Sequence, residues 1–325
     1  MKAIRIHEFG GLDVLRHEEV EDPVPPAGHV RIRVRACALN HVDIDIRDGV
    51  SRFDIAFPHI LGLEVVGEVD ELGDGVDEFR VGDRVMPYLL GGEVFIGVAG
   101  PGGLAEYVIA PTEQLVRVPD GLDDPAAAAT QVAFGTSWHM LFGRGRLMIG
   151  ETVLINSVSS GIGSAAVQLA RIAGARVIGT SSSAEKLDRA RALGMDEGID
   201  YTQEDVPARV MELTDGRGVD LVYEHVGGDR FADGIGSLAR DGRMVICGGH
   251  SGEVVPFDII PFFRNQLNVI GSFVYERHEL EKVLELGARG LLAPQVADTF
   301  ELSETRAAME QMESRNFFGK LVVLP

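Results

Sequence analysis

The segment 151–186 constrains the fold more than any other part of the sequence. A short apolar run (Val153–Ile155) leads through a Ser/Gly turn into a stretch of small residues (Ser164–Ala173), and a second apolar run (Arg176–Thr180) follows. A strand, a turn, a helix and a strand in this order predict the βαβ unit of a dinucleotide site. In such a unit the helix N-terminus and the amides of the turn receive a pyrophosphate.

The end of the second predicted strand indicates which dinucleotide binds. An NAD site usually places a carboxylate there, where it accepts a hydrogen bond from the ribose 2′-hydroxyl. In this chain Ser181, Ser182 and Ser183 occupy that place, with Lys186 one helical turn further on. Hydroxyl and ammonium groups bind a phosphate by donating to it. The segment therefore predicts NADPH as the cofactor.

The rest of the chain follows two patterns. From residue 1 to about 120, short alternating runs such as HVRIRVRACAL are separated by Gly and Pro, which predicts a small antiparallel β-barrel. Strands and helices then alternate, which predicts a doubly wound parallel sheet. We therefore expect a substrate domain over 1–124, a dinucleotide-binding domain over 125–274, and a segment, 275–325, that returns to the first domain.

The second pattern opens with a predicted helix near Asp123–Ala129. Asp124 is the expected N-cap, with Pro125 at the first helical position, where its missing amide hydrogen costs nothing.

Composition excludes several classes of protein. The formal net charge is −20 and only four residues are lysine, so the chain lacks the basic face that nucleic acid requires. Two cysteines, Cys37 and Cys247, are too few for a disulfide framework or a four-cysteine zinc lobe. No apolar run approaches the roughly 20 residues of a membrane span, and the N-terminus lacks a signal-peptide core. We expect a cytoplasmic protein with no membrane partner.

Seven short strings along the chain match one known family. In chain order they are ALNHVDIDIRDG (38–49), PHILGLEVVGEV (58–69), GDRV (82–85), GGLAEYV (102–108), AAAATQVAFGTSW (126–138), SVSSGIG (157–163) and SRNFFGKLVV (314–323). With these strings the sequence resembles the medium-chain dehydrogenase/reductase superfamily, and within it the zinc-free, zeta-crystallin-like quinone oxidoreductases. The resemblance implies a GroES-like barrel beside the Rossmann domain. It also implies a homodimer that pairs through the edge strand near Asn268–Val274.

The resemblance also implies that no catalytic zinc is bound. Zinc-dependent members supply Cys, His and a second Cys or Asp at three positions, which here hold Asn40, Leu63 and Val132. None of these side chains offers the thiolate or imidazole of a tetrahedral zinc site. Without that Lewis acid an alkoxide lacks its stabilising cation, whereas an electron-poor quinone or conjugated enone accepts hydride without a metal. The missing ligands favour a reductase.

The turn of the βαβ unit departs from the glycine pattern of other dinucleotide sites. Its three glycine positions hold Val158, Ser160 and Gly163. Small residues commonly replace the first two glycines in the quinone reductases that the chain resembles, and this covers Ser160 but not Val158. Val158 either holds the turn more open or packs beneath it.

The resemblance and the predicted strand ends together give a set of cofactor-binding residues. For the 2′-phosphate they are Ser181, at the position of the family's acid, with Ser182, Lys186, Tyr201 and Arg315. For the remainder of the cofactor they are Thr136, Ser159, Ser160, Gly161, Ile162, Gly163, Val226, Gly248, Gly249, Ser272 and Phe273.

The substrate end is predicted in less detail. Asn40 matches a family asparagine that could hydrogen-bond the carbonyl oxygen of the acceptor, and it is the one catalytic candidate. Asp43 and Arg47 are expected to form an ion pair that orients its loop. His41, Tyr88 and His139 are alternative proton donors, and water is another. The apolar, glycine-rich loop 88–103 replaces the zinc lobe and either shapes substrate entry or forms an oligomer contact.

These observations together predict an NADPH-dependent, zinc-independent reductase that transfers hydride to a quinone. Two alternatives stay open: reduction of an enone, enal or enoyl thioester, and binding of NADPH without catalysis.

Overall fold

The structure is a computed structural model that describes residues 1–90 and 95–325. The chain forms two compact units: the first combines Met1–Gln131 with Glu276–Pro325, and the second comprises Val132–Tyr275. The C-terminal segment thus belongs to the same unit as the N-terminal barrel. Of the predicted substrate-entry loop, residues 91–94 lie outside the described residues.

The N-terminal part of the first unit consists mainly of strands. In order these are β1 (Lys2–Ile6), β2 (Arg16–Glu19), β3 (His29–Ala38), helix α1 (His41–Asp48), β4 (His59–Ile60), β5 (Glu64–Leu72), β6 (Arg84–Pro87), β7 (Tyr107–Pro111) and β8 (Leu115–Arg117), followed by helix α2 (Asp124–Trp138). The alternation predicted for β3 is confirmed, since Val30, Ile32 and Val34 are buried in the core while Arg31 and Arg33 pair with Asp70 of β5.

The second unit contains the predicted strand–helix alternation. Its elements are β9 (Thr152–Ile155), α3 (Gly161–Ile172), β10 (Arg176–Ser181), α4 (Ala184–Ala192), β11 (Glu197–Asp200), α5 (Val206–Leu213), β12 (Val219–Glu224), α6 (Asp229–Ser237), β13 (Leu238–Ile246), α7 (Ile259–Arg264) and β14 (Asn268–Gly271). The six strands pair in parallel in the order β11-β10-β9-β12-β13-β14. This is the predicted doubly wound sheet, in which the order of the strands reverses between β9 and β12.

The C-terminal segment completes the sheet of the first unit. It contains α8 (Arg277–Ala288), β15 (Val296–Glu301), α9 (Thr305–Ser314) and β16 (Lys320–Leu324). Strand β16 pairs with β15 in parallel and with β3 antiparallel, with Val322 opposite Ala38 and Val323 opposite Cys37. The sheet order is β15-β16-β3-β5-β6-β8, with β7 also on β3. This pairing brings Lys320 beside the end of β3.

The N-cap of α2 differs from the prediction by one residue. Asp123, not Asp124, caps the helix, since its Oδ1 accepts from the amide of Ala126 at 2.8 Å. Asp124 instead forms an ion pair with Arg84. Among the described residues, no helix is long and apolar enough to cross a membrane.

Candidate functional site

The predicted phosphate turn joins β9 to α3. Ser160 is the N-cap of α3, and its Oγ accepts from the amide of Gly163 and donates to Ser157 O, both at 2.9 Å. A Cβ on Gly163 would lie 2.2 Å from Ser157 O, so only glycine fits there. This segment contains five of the predicted residues: Ser159, Ser160, Gly161, Ile162 and Gly163.

Val158 packs beneath the turn. Its side chain is fully buried, and its amide donates to Thr180 O of β10 at 3.0 Å. A Cβ on Gly179 would approach Val158 Cγ1 to 2.4 Å, so the valine fills the space that this glycine of β10 leaves. The first glycine position is therefore occupied by a core residue, which holds the turn on the sheet.

The start of α3 has the chemistry of an anion site. The helix runs for 12 residues and begins directly after the Ser160 cap. The amides of its first turn carry the positive end of the helix dipole, and they can donate to a phosphate that the small side chains allow to approach. The turn therefore fits the pyrophosphate of a dinucleotide.

The serine cluster at the end of β10 contains one buried hydroxyl with no partner. Ser181 is 1% exposed, and its Oγ has no hydrogen-bond partner among the described residues. Ser183 instead caps α4, accepting from the amide of Lys186 at 3.4 Å, and Ser182 is exposed. Burial lowers the pKa of Lys186 below its usual value, while Glu185 opposes that shift. Since a buried hydroxyl without a partner is costly, Ser181 fits a ligand that supplies one.

Tyr201 lies beside this serine, across the ends of β10 and β11. Its amide donates to Ser181 O at 3.1 Å. Its ring lies under the guanidinium of Arg230, the second residue of α6, at 4.9 Å from the ring centroid. No sequence pattern indicates Arg230, because its place beside Tyr201 depends on how α6 packs near the end of β11.

A buried polar cluster lies at the switch between β9 and β12. Asn156, which follows β9, donates through Nδ2 to the carboxylate of Glu224, the last residue of β12. The amides of Val226 and Gly227 donate to the same carboxylate at 2.5 and 2.7 Å, and Thr180 Oγ donates to Asn156 Oδ1 at 3.4 Å. Burial is the largest influence on Glu224 and raises its pKa. The amide of the predicted cofactor residue Val226 is thus engaged within the protein.

His225 connects this cluster to the phosphate turn. Its Nε2 lies 2.8 Å from Asn156 O and 3.5 Å from Ser160 Oγ. Burial lowers the pKa of His225 to about 4, so the ring is neutral at neutral pH. Sequence reasoning missed both Glu224 and His225. The signal was present as two polar residues directly after the apolar run VDLVY.

The remaining predicted cofactor residues of the second unit lie on neighbouring segments. Gly248 approaches the end of β12 closely, since a Cβ there would lie 2.6 Å from His225 O, and Gly249 follows it. Ser272 follows β14, and its buried Oγ has no partner in the described part of the chain, while the next residue, Phe273, is exposed. Thr136 is buried on α2.

Asn40 and Arg315 lie in the first unit, where Asn40 belongs to a cluster with a buried charge. Asn40 Nδ2 donates to Glu64 Oε1 at 2.7 Å, and Lys320 Nζ donates to Asn40 Oδ1 at 2.8 Å. Lys320 also donates to Glu64 and to Leu39 O, both at 2.5 Å. Because an ammonium only donates and a carboxylate only accepts, these two partners fix which way the Asn40 amide points.

The predicted ion pair between Asp43 and Arg47 is wrong. The buried Asp43 carboxylate accepts from the amides of Asn40 at 2.7 Å and Gly62 at 3.0 Å. Arg47 instead pairs with Asp48 and Glu313. Asp43 therefore accepts hydrogen bonds at the N-terminus of α1 instead of forming an ion pair with Arg47 along the helix. Burial, the largest influence, raises its pKa to about 6.

The three alternative proton donors lie in different places. His41 is the first residue of α1, and His139 begins a π-helical turn after α2 in the second unit. Tyr88, in the first unit, is buried, and that burial raises its pKa. A raised phenol pKa keeps the proton on Tyr88 at neutral pH.

A zinc ion does not fit the residues at the positions of the family's ligands. Asn40 offers an amide oxygen that already accepts from Lys320, and Leu63 is a buried aliphatic side chain. The Lys320 ammonium lies where a second cation would be repelled, and Glu64 already bonds to it. In the described part of the chain, no group of three or more His, Cys, Asp or Glu side chains could share a metal ion.

Two family models match the chain. The model described as the alcohol dehydrogenase GroES-like domain matches residues 26–120, and the model described as zinc-binding dehydrogenase matches residues 161–289. Among curated relatives, a quinone oxidoreductase from Pseudomonas aeruginosa is 34% identical over 100% of this chain and 99% of the relative. A 2-haloacrylate reductase from a Burkholderia species is 32% identical over 99% of this chain and 98% of the relative.

Solved structures agree over the whole chain. An NAD-dependent alcohol dehydrogenase is similar with a TM-score of 0.94 and 34% identity, covering 100% of both chains. A mycobacterial protein in complex with NADPH is similar with a TM-score of 0.87 and 29% identity, also covering 100% of both chains. The similar structures therefore include proteins described with either nicotinamide cofactor.

Proposed function

Because the chain belongs to the quinone oxidoreductase-like branch of the medium-chain dehydrogenase/reductase superfamily and is an oxidoreductase, we propose that it is an NADPH-dependent reductase of quinones that uses no zinc. The observation that carries this proposal is at Ser181: its buried hydroxyl, which has no hydrogen-bond partner in the described part of the chain, stands where NAD-specific sites place a carboxylate.

We assign the pyrophosphate and the 2′-phosphate of NADPH to groups of the second unit. The amides at the start of α3 would receive the pyrophosphate, with Gly163 allowing its approach. The hydroxyls of Ser181 and Ser182 would donate to the 2′-phosphate, and Lys186 would supply positive charge there. We also assign Tyr201 to this phosphate, following the resemblance, and the same role for Arg315 of the first unit stays a prediction of that resemblance. Bound NADPH would supply the hydride.

In the first unit, we assign Asn40 to the acceptor's carbonyl oxygen. Asn40 Nδ2 donates to Glu64 at 2.7 Å and, over a longer distance, to Ala38 O at 3.3 Å. The acceptor's carbonyl oxygen would take the place of Ala38 O, the more distant of these two partners. Since Lys320 and Glu64 already fix the amide, its orientation needs no reorganisation when the acceptor binds, which is the property that favours catalysis.

The zinc-free chemistry rests on the same cluster. Lys320 supplies a cation to this cluster, and its ammonium donates to Glu64, Asn40 and a backbone carbonyl. An acceptor that is already electron-poor needs no Lewis acid. We expect purified protein to retain its quinone reductase activity after dialysis against a chelator, with no gain on adding zinc. Loss of activity that zinc restores would contradict this.

A conjugated enone or enal is the second candidate acceptor. A 2-haloacrylate contains a carbon–carbon double bond conjugated to a carboxylate, and the similarity to its reductase favours this alternative. Steady-state rates separate the two: higher kcat/KM for a panel of quinones supports the first candidate, and higher kcat/KM for enones supports the second. Bound NADPH that no acceptor oxidises in a single turnover would indicate a non-catalytic protein.

We further propose a homodimer that pairs through β14. This strand is the edge of the six-stranded sheet, and α7 beside it has no buried residue. The surrounding apolar side chains are exposed, namely Val254, Phe257, Ile259, Ile260, Phe263, Val269 and Phe273. An exposed edge strand with apolar neighbours suits pairing with a second copy about a two-fold axis. Sedimentation should give a dimer that Phe263→Asp converts to monomer, whereas a monomeric wild type would contradict the proposal.

A further inference from the structure

Arg230 stands near the ends of four strands of the second unit. Its guanidinium lies over the Tyr201 ring, and the Tyr201 amide binds Ser181 O at the end of β10. Its backbone carbonyl accepts from Asn156 Nδ2, after β9, at 3.4 Å. Its charge also acts on Glu224, the last residue of β12, whose pKa it pulls down against the larger effect of burial. Arg230 therefore lies at the carboxyl edge of the parallel sheet, which is the edge to which we assign the cofactor.

Within residues 1–90 and 95–325, most of the N–H donors of the Arg230 guanidinium have no hydrogen-bond acceptor. Among the described residues, the guanidinium makes one ion pair, between Nη1 and Asp233 Oδ2 at 2.9 Å, besides its stack on Tyr201. A guanidinium carries five N–H donors in a planar fork that matches a phosphate. The aromatic ring beneath it fixes that plane and leaves the edge for an anion.

Because the residues around Arg230 are acidic, a phosphate could bind near them only if the positive charge of Arg230 offsets their repulsion. Burial raises the pKa of Asp233, Arg230 lowers it, and the carboxylates of Asp229 and Glu224 are near enough to raise it further. Without Arg230 these acidic groups would repel a phosphate bound at the neighbouring Ser181, whereas a plain ribose hydroxyl would be little affected.

We propose that Arg230 binds the 2′-phosphate of NADPH and determines the preference for NADPH over NADH. This inference rests on the proposed function, because it requires Ser181 to bind that phosphate. It adds a guanidinium on α6, stacked on Tyr201, to the groups already assigned there.

The test measures four ligands on the full-length protein by titration calorimetry: NADPH, NADH, adenosine 2′,5′-bisphosphate and 5′-AMP. Arg230→Gln should weaken NADPH and the bisphosphate about tenfold or more, the usual effect of losing one charge-assisted contact, and change NADH and 5′-AMP less than about twofold. Arg230→Lys should recover part of the loss, because it keeps the charge but not the fork.

Arg217→Gln is the matched control. Arg217 also pairs with an aspartate three residues on, Asp220, but this pair lies at the start of β12, the opposite edge of the parallel sheet. It should leave all four affinities unchanged. If Arg230→Gln lowers the unfolding temperature below the range of the titration, Tyr201→Phe and Tyr201→Leu are compared instead. Both remove the Tyr201 hydroxyl, but only leucine removes the ring under the guanidinium. Tyr201→Leu should weaken NADPH several-fold more than Tyr201→Phe does, with little difference for NADH, whereas equal NADPH affinities of the two variants reject the role of Arg230.

The outcomes separate this inference from the proposed function. A wild type that binds NADH as tightly as NADPH rejects the proposed cofactor and this inference with it. A wild-type preference for NADPH that survives in Arg230→Gln rejects only the role of Arg230. Equal weakening of all four ligands in Arg230→Gln also rejects it, because that result indicates a structural ion pair.

Discussion

Each of the two units contains an asparagine bonded to a buried glutamate, yet the charge of the carboxylate is compensated differently in the two units. In the first unit Asn40 and Glu64 share the ammonium of Lys320. In the second unit the Glu224 carboxylate accepts from Asn156 and from two backbone amides, and the charge of Arg230 acts on it from α6. The first arrangement fixes the amide that we assign to the acceptor with a direct ion pair, and the second fixes a loop mainly with hydrogen bonds.

The difference follows from what each region is proposed to bind. A dinucleotide is an anion, and a turn of amides with a buried neutral His225 can receive it without a resident cation beneath the turn. An acceptor carbonyl needs one donor held in a fixed direction, and a charged pair on either side of Asn40 provides that.

The largest expected effect comes from removing the cation of the first unit. Lys320→Met removes the ammonium that neutralises the buried Glu64 carboxylate, which should lower the free energy of unfolding by about 3–5 kcal/mol. Chemical denaturation measures it. Lys282→Met is the matched control, because Lys282 pairs with Glu285 on the exposed face of α8 and should cost less than about 1 kcal/mol.

A second substitution distinguishes charge from packing. Adding Glu64→Gln to Lys320→Met should recover part of the lost stability, since the carboxylate is then gone. If the double variant is as unstable as the sum of the two single variants, lost packing rather than an unpaired charge explains the effect.

The next effect is a dependence on pH that has opposite sign in the two units. Burial raises the pKa of Asp43 to about 6, so the folded state holds its proton more tightly than the unfolded chain. Its contribution to stability is then lost as the pH rises from about 4 to about 6. Burial lowers the pKa of His225 to about 4, so its contribution is lost as the pH falls from about 6.5 towards 4.

Each of these shifts corresponds to a free energy on the order of 3 kcal/mol. Hydrogen exchange of amides in β5 and β12, corrected for intrinsic rates, reports the two units separately. Asp43→Asn should remove the loss of stability that the first unit shows as the pH rises from about 4 to about 6. His225→Asn should remove the loss that the second unit shows as the pH falls from about 6.5 towards 4. His17→Asn, at an exposed position, is the control. If both variants change the same unit, or shift stability in the same direction, the comparison is wrong.

A smaller effect is expected from the carboxylate of the second unit. Glu224→Gln keeps the shape but replaces one acceptor oxygen by an NH2 group that faces donors, namely the Asn156 amide and two backbone amides. We expect a loss of about 1–3 kcal/mol in unfolding free energy. A change as large as that of Lys320→Met would mean that the two pairs depend equally on charge.

The smallest expected effect compares two serines of one cluster. Ser183→Ala removes the N-cap of α4 and should cost about 1 kcal/mol. Ser181→Ala removes a buried hydroxyl without a partner and should leave the cofactor-free protein unchanged or more stable by up to about 1 kcal/mol. Binding should reverse the order, with NADPH affinity falling more for Ser181→Ala. Equal loss of stability in both variants would contradict the assignment of Ser181.

Much of the fold could be predicted because its signals are local. The alternation in β3 and the order of strand, turn and small-residue helix around α3 need only neighbouring residues. Strand β11 has no local signal, since its sequence, EGID, combines glycine with acidic residues and becomes a strand only by pairing with β10. The cap of α2 was misplaced by one residue, because two adjacent aspartates are indistinguishable until Arg84 takes one of them.

The site was predicted where a turn or strand end marks it, and missed where distant residues meet. The phosphate turn and the serine cluster are contiguous in sequence. Lys320 meets Asn40 only because β16 pairs with β3, and Arg230 meets Tyr201 only because α6 packs beside the end of β11. The expected pair of Asp43 with Arg47 failed because helical spacing alone does not tell whether a carboxylate turns inward to cap the helix.

The central proposal, an NADPH-dependent reductase that needs no zinc, is tested most directly by one kinetic comparison. The ratio of kcat/KM for NADPH to that for NADH is measured with a quinone acceptor, on protein treated with a chelator and shown by elemental analysis to lack zinc. We predict activity with a ratio of about ten or more, the effect of one or more charge-assisted phosphate contacts. Equal or better use of NADH, or activity that returns only with zinc, would contradict the account.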